Sequence, residues 1–298
     1  MKRFNYIVSI ILITIGMSSC SSVALTGRSQ LNLVPDDAIL SASSSQYATF
    51  MKQAKVSKNK TQTNRVREIG QRIANATEQY LRSTGMAAEV EKFHWEFNLV
   101  ASNDVNAFCM PGGKIVVYEG LLPVAENDAQ LATVMSHEVA HALAKHANER
   151  MSQQIVRQYG ANALGMLLSG SSAVTQQVSG ILYNVGSEVF FSLPYSRKHE
   201  YEADKIGLYL MAIAGYDYTE AEKFWMNMSR GSKSTQDILS THPADEKRIK
   251  AIREELPKVQ EFMSGLKSAP SPKNNAPANS ANLKEVNKNR KTPIKTHY

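Results

Sequence analysis

Residues 136–146 read SHEVAHALAKH, and they contain the spacing His137-Glu138-x-x-His141. On a helix, positions i and i+4 lie one turn apart on the same face, so both histidines can present an imidazole nitrogen to one metal ion. Glu138 is rotated by about 100° from His137, according to the 3.6-residue period. The pattern therefore predicts a metal ion with a carboxylate beside it, placed to act as a general base.

Two histidines at helical spacing can also be ordinary core residues, so a third ligand is needed. The stretch SRKHEYEADKIG at 196–207 offers Glu200 and Asp204, which share one helix face, whereas Glu202 points nearly opposite. One of the pair can bind the ion while the other orients a ligand histidine through its second nitrogen. Zinc is the ion indicated, because three protein ligands leave a fourth position for a water whose pKa falls toward ~7.

Charge and length limit the classes of protein to consider. With 298 residues, 43% of them hydrophobic, the chain can form one large domain or two small ones. The formal charge of +7 comes from the ends, since residues 268–298 carry six basic side chains and one acid, and Lys2 and Arg3 open the chain. The middle of the chain is neutral, which argues against a nucleic-acid binder.

The first 20 residues, MKRFNYIVSIILITIGMSSC, have a basic start, an apolar run and small residues before Cys20. This pattern predicts a secretory signal peptide at 1–19, because the apolar run is shorter than the ~20 residues of a membrane span. An uncleaved anchor is the alternative. Met17-Ser18-Ser19-Cys20 resembles a bacterial lipobox, which predicts a lipid on Cys20, a lipid-anchored lead-in at 20–34, and an outer-membrane lipoprotein facing the periplasm. With Cys20 acylated, Cys109 has no disulfide partner.

The remaining pattern predicts a mainly α (α+β) domain at 35–266. A helix is expected to start near Pro35, and others at 61–82, 127–150 and 197–214, with a last one from Pro243. FHWEFNLV at 93–100 reads as a strand, and two more strands flank the turn Pro111-Gly112-Gly113, so we expect a small antiparallel sheet beside the motif helix. Residues 154–192, rich in Gly, Ser and Ala, are either mobile helical segments over a cleft or closely packed helices. The basic tail at 267–298 has a disordered composition.

Three segments together resemble a known family: HEVAHALAKHANERM, SRKHEYEADKIGL and STHPADEKRI. They are similar to the zinc endopeptidases that include the CaaX prenyl proteases and the mitochondrial inner-membrane quality-control peptidase. The segments CSSVALTGRSQLNLVP and NAFCMPGGKIVVYEGLL resemble its periplasmic lipoprotein branch of the β-barrel-assembly-enhancing and low-osmolarity-induced type. The resemblance covers most of residues 20–256 and implies a zincin-type metallopeptidase domain.

The resemblance also implies roles for single residues. One Zn²⁺ per chain would be bound by His137, His141 and Glu200, with Glu138 as general base and acid. Asp204 matches the carboxylate that supports a ligand, and Arg197 and His242 fall on motifs near the zinc. His242 would either stabilise the oxyanion of the transition state or act as a reversible extra ligand. For His146 and His199, helical positions off the ligand face predict surface or packing roles.

We expect the substrate of such a peptidase to lie extended against an edge strand. Asn106, Ala107, Phe108 and Cys109 would supply its main-chain hydrogen bonds, which favours unfolded segments. The expected function is zinc-dependent hydrolysis of peptide bonds in unfolded or misassembled envelope proteins, in periplasmic quality control. Partner proteases or the outer-membrane assembly machinery are possible partners, although a short basic tail stands where the barrel-assembly relatives have helical repeats.

The alternative is a non-enzymatic periplasmic chaperone or scaffold lipoprotein that uses the same cleft to hold clients. An intact Glu138 separates the two functions, because a pure binding protein has no reason to place a carboxylate beside the metal ligands. A membrane-embedded processor of prenylated peptides is a third possibility. It lacks support in the sequence, since no segment after Cys20 has ~20 apolar residues in a row.

Overall fold

The computed structural model describes residues 20–159, 195–229, 236–243 and 246–268. Contacts within the chain separate one unit, Met1–Met263, from a C-terminal unit, Ser264–Tyr298. The predicted signal peptide, the basic tail beyond residue 268 and the Gly/Ser-rich segment beyond residue 159 lie outside the described residues. Among the helices that are described, none is both long and apolar enough to cross a membrane.

Helices make up most of the described part of the chain, as predicted. In chain order they are α1 Asp36–Gln53, α2 Lys60–Ser83, α3 Ala87–Val90, α4 Asp128–Leu143, α5 His146–Tyr159, α6 Arg197–Ile213, α7 Glu220–Ser229, α8 Gln236–Thr241 and α9 Glu246–Ser268. The predicted helix at 61–82 corresponds to α2, and α6 ends two residues before Gly215, whose φ of 77° is of the kind glycine favours after a helix.

Two small sheets accompany the helices. Strands β1 (Cys20–Ser22) and β2 (Ser29–Leu31) pair antiparallel as a hairpin. Strands β3 (Glu96–Val100), β4 (Ala107–Met110) and β5 (Lys114–Tyr118) form a second sheet in the order β3-β5-β4.

The second sheet is mixed, not antiparallel throughout as the sequence suggested. The hairpin β4–β5 is antiparallel, with Phe108 opposite Val116, whereas β3 runs parallel to β5, with Asn98 opposite Val116. The parallel pairing arises because the chain crosses from β3 to the far edge before it returns through the hairpin. This arrangement leaves β4 as an edge strand.

The motif helix α4 lies in the middle of the core. Its start agrees with the sequence, since the Oδ1 of Asn127 accepts a hydrogen bond from the backbone N–H of Gln130 at 2.9 Å. Every residue from Gln130 to His141 is buried. Helix α6 packs closely against it, and a Cβ built on Gly207 would lie 3.2 Å from the backbone nitrogen of His137.

The predicted continuation of this helix to Arg150 was wrong. Helix α4 ends at Leu143, and Lys145 adopts a left-handed φ of 54° before α5 begins at His146. The Nζ of Lys145 lies 2.7 Å from Oδ2 of Asp36 and 3.0 Å from Oε2 of Glu89, so two ion pairs hold the bend. The bend changes the direction in which His146 points.

Candidate active site

Helices α4 and α6 and the end of α8 bring four side chains together. His137 and His141 come from α4, Glu200 from the first turn of α6, and His242 directly follows α8. One potential ligand atom from each of the four lies within 4.8 Å of the others, and all four residues are buried. The sequence predicted all four for the zinc site or its surroundings, although His137 and His242 are 105 residues apart in the chain.

The spacing of the donor atoms suits a small tetrahedral ion. The Nε2 atoms of His137 and His141 are 3.1 Å apart. The Oε2 of Glu200 lies 3.3 Å from Nε2 of His137, and its Oε1 lies 3.4 Å from Nε2 of His141. Zinc bonds of ~2.0–2.1 Å in tetrahedral geometry separate two donor atoms by roughly 3.3 Å. Two imidazoles and a carboxylate at this spacing therefore fit zinc in both chemistry and size.

Asp204 lies one helical turn after Glu200 and contacts the outer nitrogen of a histidine in the cluster. Its Oδ1 is 3.0 Å from Nδ1 of His137. A proton on Nδ1 that is held by this carboxylate leaves the Nε2 lone pair of His137 directed into the cluster. The sequence predicted a supporting carboxylate at Asp204; the distance is compatible with that role, which stays a prediction.

Arg248 is a residue of the site that sequence reasoning missed. Its Nη1 lies 2.9 Å from Oε2 of Glu200, and its Nη2 donates to Oδ1 of Asp204 at 2.8 Å. The guanidinium is 1% exposed, and its Cζ lies 3.7 Å from the ring centroid of Trp225. The only sequence signal is its position in STHPADEKRI, since no spacing rule connects it with two acids more than 40 residues away.

Electrostatics differ among the three buried carboxyl groups. Burial raises the pKa of Glu138 above its ordinary value, in spite of the positive charge of nearby His242. Burial alone would also raise the pKa of Glu200, but the charges of His242 and Arg248 hold that pKa well below its usual range. Burial is likewise outweighed at Asp204, where Arg248 lowers the pKa. The three groups thus separate into two stable anions and one carboxylate with an increased affinity for a proton.

Glu138 faces a cleft beside the cluster. Its Oε1 lies 3.3 Å from Nε2 of His242 and is buried without a hydrogen-bond donor among the described residues. Cys109 lines this cleft as well, so strand β4 adjoins the Glu138 side chain. The cleft opens to solvent. It is lined by Asn106, Ala107, Phe108, Cys109, Tyr118, Glu138, Arg150, Tyr195, Thr241 and His242.

Three other residues that the sequence analysis considered are not among the four clustered side chains. Arg197 is exposed in the first turn of α6 and is not one of the four. His146 and His199 are also outside that set. Both are buried, so of the two predicted roles a packing position fits them and a surface position does not. The Nδ1 of His146 lies 2.9 Å from Nδ1 of His141. The bend at Lys145 explains this contact, because five further residues of unbroken helix would have turned His146 about 140° away from His141.

Tyr195 is another residue that the sequence did not reveal. Its ring centroid lies 3.8 Å from that of His141, and the Cζ of Arg150 lies 3.8 Å from the Tyr195 centroid. The backbone N–H of Tyr195 donates to the carbonyl of Thr241 at 3.2 Å, which ties the start of α6 to the residue before His242. No local motif marks a tyrosine for such a position.

Comparison with known proteins agrees with the geometry. The model of peptidase family M48 matches residues 60–256, which include all four clustered residues and Glu138. The chain is 38% identical over 169 residues to the mitochondrial metalloendopeptidase OMA1 of Schizosaccharomyces pombe, covering 56% of this chain and 48% of that protein. It is 41% identical over 166 residues to OMA1 of Arabidopsis thaliana, covering 55% of this chain and 32% of that one.

A bacterial protein is among the relatives. The beta-barrel assembly-enhancing protease of Escherichia coli is 29% identical over 191 residues, which cover 59% of this chain and 38% of the relative. The chain thus spans about half or less of the length of the curated relatives that it matches. The family model, in contrast, covers most of the chain, including both helices that carry the donor atoms. The chain belongs to peptidase family M48.

Proposed function

We propose that the chain is a zinc-dependent endopeptidase that hydrolyses peptide bonds in unfolded or misassembled proteins of the cell envelope. The observation that carries the proposal is the spacing of 3.1–3.4 Å among donor atoms of His137, His141 and Glu200, beside a buried Glu138. A binding protein would need neither the donor set nor the carboxylate next to it. The names of the relatives, metalloendopeptidase and protease, support the same activity.

Each residue of the cluster has its own role in this proposal. His137, His141 and Glu200 hold the ion, one zinc per chain. The bound zinc supplies Lewis-acid polarisation of a water and of the scissile carbonyl. Glu138 removes the proton from the attacking water and later delivers it to the leaving amine, a role for which its raised pKa is suited.

Asp204 and Arg248 act through the residues that hold the ion. Asp204 fixes the ring of His137 through Nδ1, at 3.0 Å. Arg248 contacts the carboxylates of Glu200 and Asp204 at 2.9 and 2.8 Å and offsets their mutual repulsion in a buried site. Arg197 is exposed at the start of α6 and is not one of the four clustered side chains, so its proposed place near the zinc rests on the family resemblance.

Strand β4 is the proposed binding edge for substrate. It is an outer strand of its sheet, and it lines the cleft together with Glu138. An extended peptide that adds to β4 would pass its main chain beside Glu138. Because main-chain pairing needs an extended chain, this mode selects unfolded segments over folded ones.

His242 has two proposed roles, and each of its ring nitrogens has contacts that support one of them. Its Nδ1 lies 3.3 Å from Nε2 of His137 and 3.1 Å from Oε1 of Glu200, the same spacing as among the three ligands. This placement supports a reversible fourth ligand that keeps the site silent. Its Nε2, 3.3 Å from Glu138, supports the alternative role in stabilising the oxyanion. His242→Ala should raise basal peptidase turnover in the first case and lower it in the second.

The cellular setting is a further part of the proposal. The secretory signal and the lipobox at Cys20 support an outer-membrane lipoprotein that faces the periplasm and acts in quality control. The Escherichia coli relative is named for enhancing β-barrel assembly, so the outer-membrane assembly machinery and partner proteases are the proposed partners. Labelling with a radioactive fatty acid tests the anchor, because the label should disappear in Cys20→Ala. A label that persists would overturn the lipid anchor.

Cleavage of casein by the purified full chain tests the activity. We expect wild-type protein to cleave casein, a chelator to stop cleavage, and added Zn²⁺ to restore it. Glu138→Gln should abolish cleavage, whereas Glu119→Gln, an acid outside the cleft lining, should retain it. Cleavage that survives both the chelator and Glu138→Gln would overturn the mechanism. A zinc-containing wild-type protein that cleaves nothing but suppresses aggregation would instead establish the chaperone function.

A further inference from the structure

His146 is buried beside the proposed zinc site with both ring nitrogens engaged. Its Nδ1 lies 2.9 Å from Nδ1 of His141, and its Nε2 lies 2.9 Å from Oε2 of Glu202. The side chain is fully buried, at 0% exposure. Three groups therefore form a continuous hydrogen-bonded line, from a proposed zinc ligand through a second histidine to a carboxylate.

Only one arrangement of protons satisfies this line when His141 binds an ion. The Nε2 of His141 faces His137 and Glu200 and must keep its lone pair free, so its proton sits on Nδ1. That N–H donates to Nδ1 of His146, which then carries its own proton on Nε2 and donates to Glu202. Each donor meets one acceptor, and every ring is held in one tautomer.

The carboxylate at the far end is held by the N-terminal lead-in. Arg28 donates from Nε to Oε2 of Glu202 at 2.7 Å, and the hydroxyl of Thr26 donates to Oε1. Arg28 also forms two hydrogen bonds with Glu149, at 3.0 and 2.7 Å. Thr26 and Arg28 lie in the hairpin that begins at Cys20, so the segment next to the proposed lipid anchor contributes directly to this line.

We propose that His146 is a positioning residue for His141, and that Arg28 completes the relay by fixing Glu202. The relay sets the tautomer and ring orientation of a zinc ligand from the lead-in segment. It rests on the proposed zinc function, and it assigns a role to two residues, His146 and Arg28, that no motif assigned. His137 is oriented by a carboxylate on α6, whereas His141 is oriented by a histidine that the bend at Lys145 brings back toward it.

His199 provides a matched control for His146. It is also buried, its ring stacks on that of His146 with centroids 4.4 Å apart, and its Nε2 lies 3.1 Å from Oε2 of Glu149. It therefore shares the surroundings of His146 and a similar cost of substitution. Its contacts lead to Glu149 and not to His141, so its loss leaves the proposed relay intact.

The experiment measures zinc affinity by competition with a chromophoric chelator, on the full chain purified in detergent. His146→Phe keeps a ring but removes both nitrogens, and we expect zinc affinity to fall 10–100-fold. His199→Phe should change it by less than about threefold, since the relay of outer hydrogen bonds remains. His146→Gln restores an acceptor and a donor and should recover most of the loss. Arg28→Met should lower affinity without touching any ring.

Nitrogen-15 NMR of the histidine rings gives a second measurement, the position and exchange rate of the His141 ring proton. A change in packing alone would not alter this tautomer signal. In the zinc-loaded wild type, His141 should carry its proton on Nδ1 with slow exchange, and in His146→Phe that proton should exchange quickly. Circular dichroism identifies the folded variants. If His146→Phe fails to fold, Arg28→Met and His146→Gln carry the same comparison.

Three results would overturn the inference. The first is a zinc affinity equal to that of the wild type in every folded relay variant. The second is an equal loss of zinc affinity in His199→Phe and His146→Phe, which would mean that changed packing alone causes the loss. The third is a wild-type chain that binds no zinc at all, which would remove the metal site and the relay with it. This third result is distinguishable from the others because it concerns the wild type alone.

Discussion

Gly207 and His137 are in backbone contact across the interface between α4 and α6. A Cβ on Gly207 would lie 3.2 Å from the backbone nitrogen of His137 and 3.3 Å from Oγ of Ser136. A side chain at position 207 would press on these atoms, so the glycine favours this close approach of the two helices. The short distance in turn allows Glu200 and Asp204 on α6 to reach the imidazoles of α4.

Gly207→Val should therefore separate the two helices. The added side chain meets backbone atoms that cannot move aside alone, so we expect a loss of about 1–3 kcal/mol in the free energy of unfolding. Urea unfolding at neutral pH measures it. Gly265→Ala is the control, because a Cβ on that helical glycine meets nothing within 4 Å. It should leave stability unchanged or raise it, and an equal loss in both variants would contradict the close-approach argument.

Arg248→Met should destabilise the protein far more than removal of an arginine at the surface. The variant leaves the carboxylates of Glu200 and Asp204 buried without their guanidinium, and breaking a buried pair costs about 3–5 kcal/mol. Arg253 pairs with Glu222 in a 60% exposed position, so Arg253→Met should cost less than about 1 kcal/mol. Urea unfolding of both variants, without added metal, makes the comparison. Equal costs would show that the buried guanidinium is not what compensates these acids.

Acid should weaken the contacts of Arg28. Burial would raise the pKa of Glu149, but its hydrogen bonds with His199 and Arg28 lower that pKa from 4.5 to about 2. The unfolded chain therefore binds the proton first, and this contribution to stability is complete above pH 4.5 and is lost as the pH falls toward 2. The free energy of unfolding should fall between pH 5 and 3, and Arg28→Met should flatten that fall.

Arg65→Met is the control for the acid experiment, since it breaks the partly exposed pair with Asp128, away from Glu149. It should keep the wild-type dependence on pH. If Arg28→Met and Arg65→Met show the same slope as the wild type, then Glu149 does not depend on Arg28 for its low pKa.

The sequence predicted those parts of the site that depend on the spacing of residues along a single helix. His137 and His141 lie four residues apart on one helix, as do Glu200 and Asp204 on another, and each pair is recognisable without a fold. That the two pairs meet across the two helices was inferred from metal chemistry, because a zinc ion needs a third protein ligand besides the two histidines. The start of α4 at Asn127 was equally local, because a side-chain cap acts within three residues.

The remaining features depend on contacts that local patterns do not encode. Arg248 becomes part of the site only when α9 is placed against α6, and nothing in its neighbourhood marks it. The contact of His146 with His141 was not predicted, because Lys145 has a left-handed backbone that its own residue type does not favour and that ion pairs with Asp36 and Glu89 stabilise. The parallel pairing of β3 with β5 likewise depends on how the chain crosses the sheet.

The central claim is that Glu200 binds the zinc, whereas Glu138 is the general base. The most direct test is to measure the zinc content of three purified proteins. Elemental analysis should find one zinc per chain in the wild type and in Glu138→Gln, because Glu138 stands beside the ion and does not hold it. Glu200→Gln should lose most of its zinc, because an amide oxygen is a far weaker ligand than a carboxylate. Full zinc in Glu200→Gln, or loss of zinc in Glu138→Gln, would contradict the assignment of Glu200 as ligand and Glu138 as base.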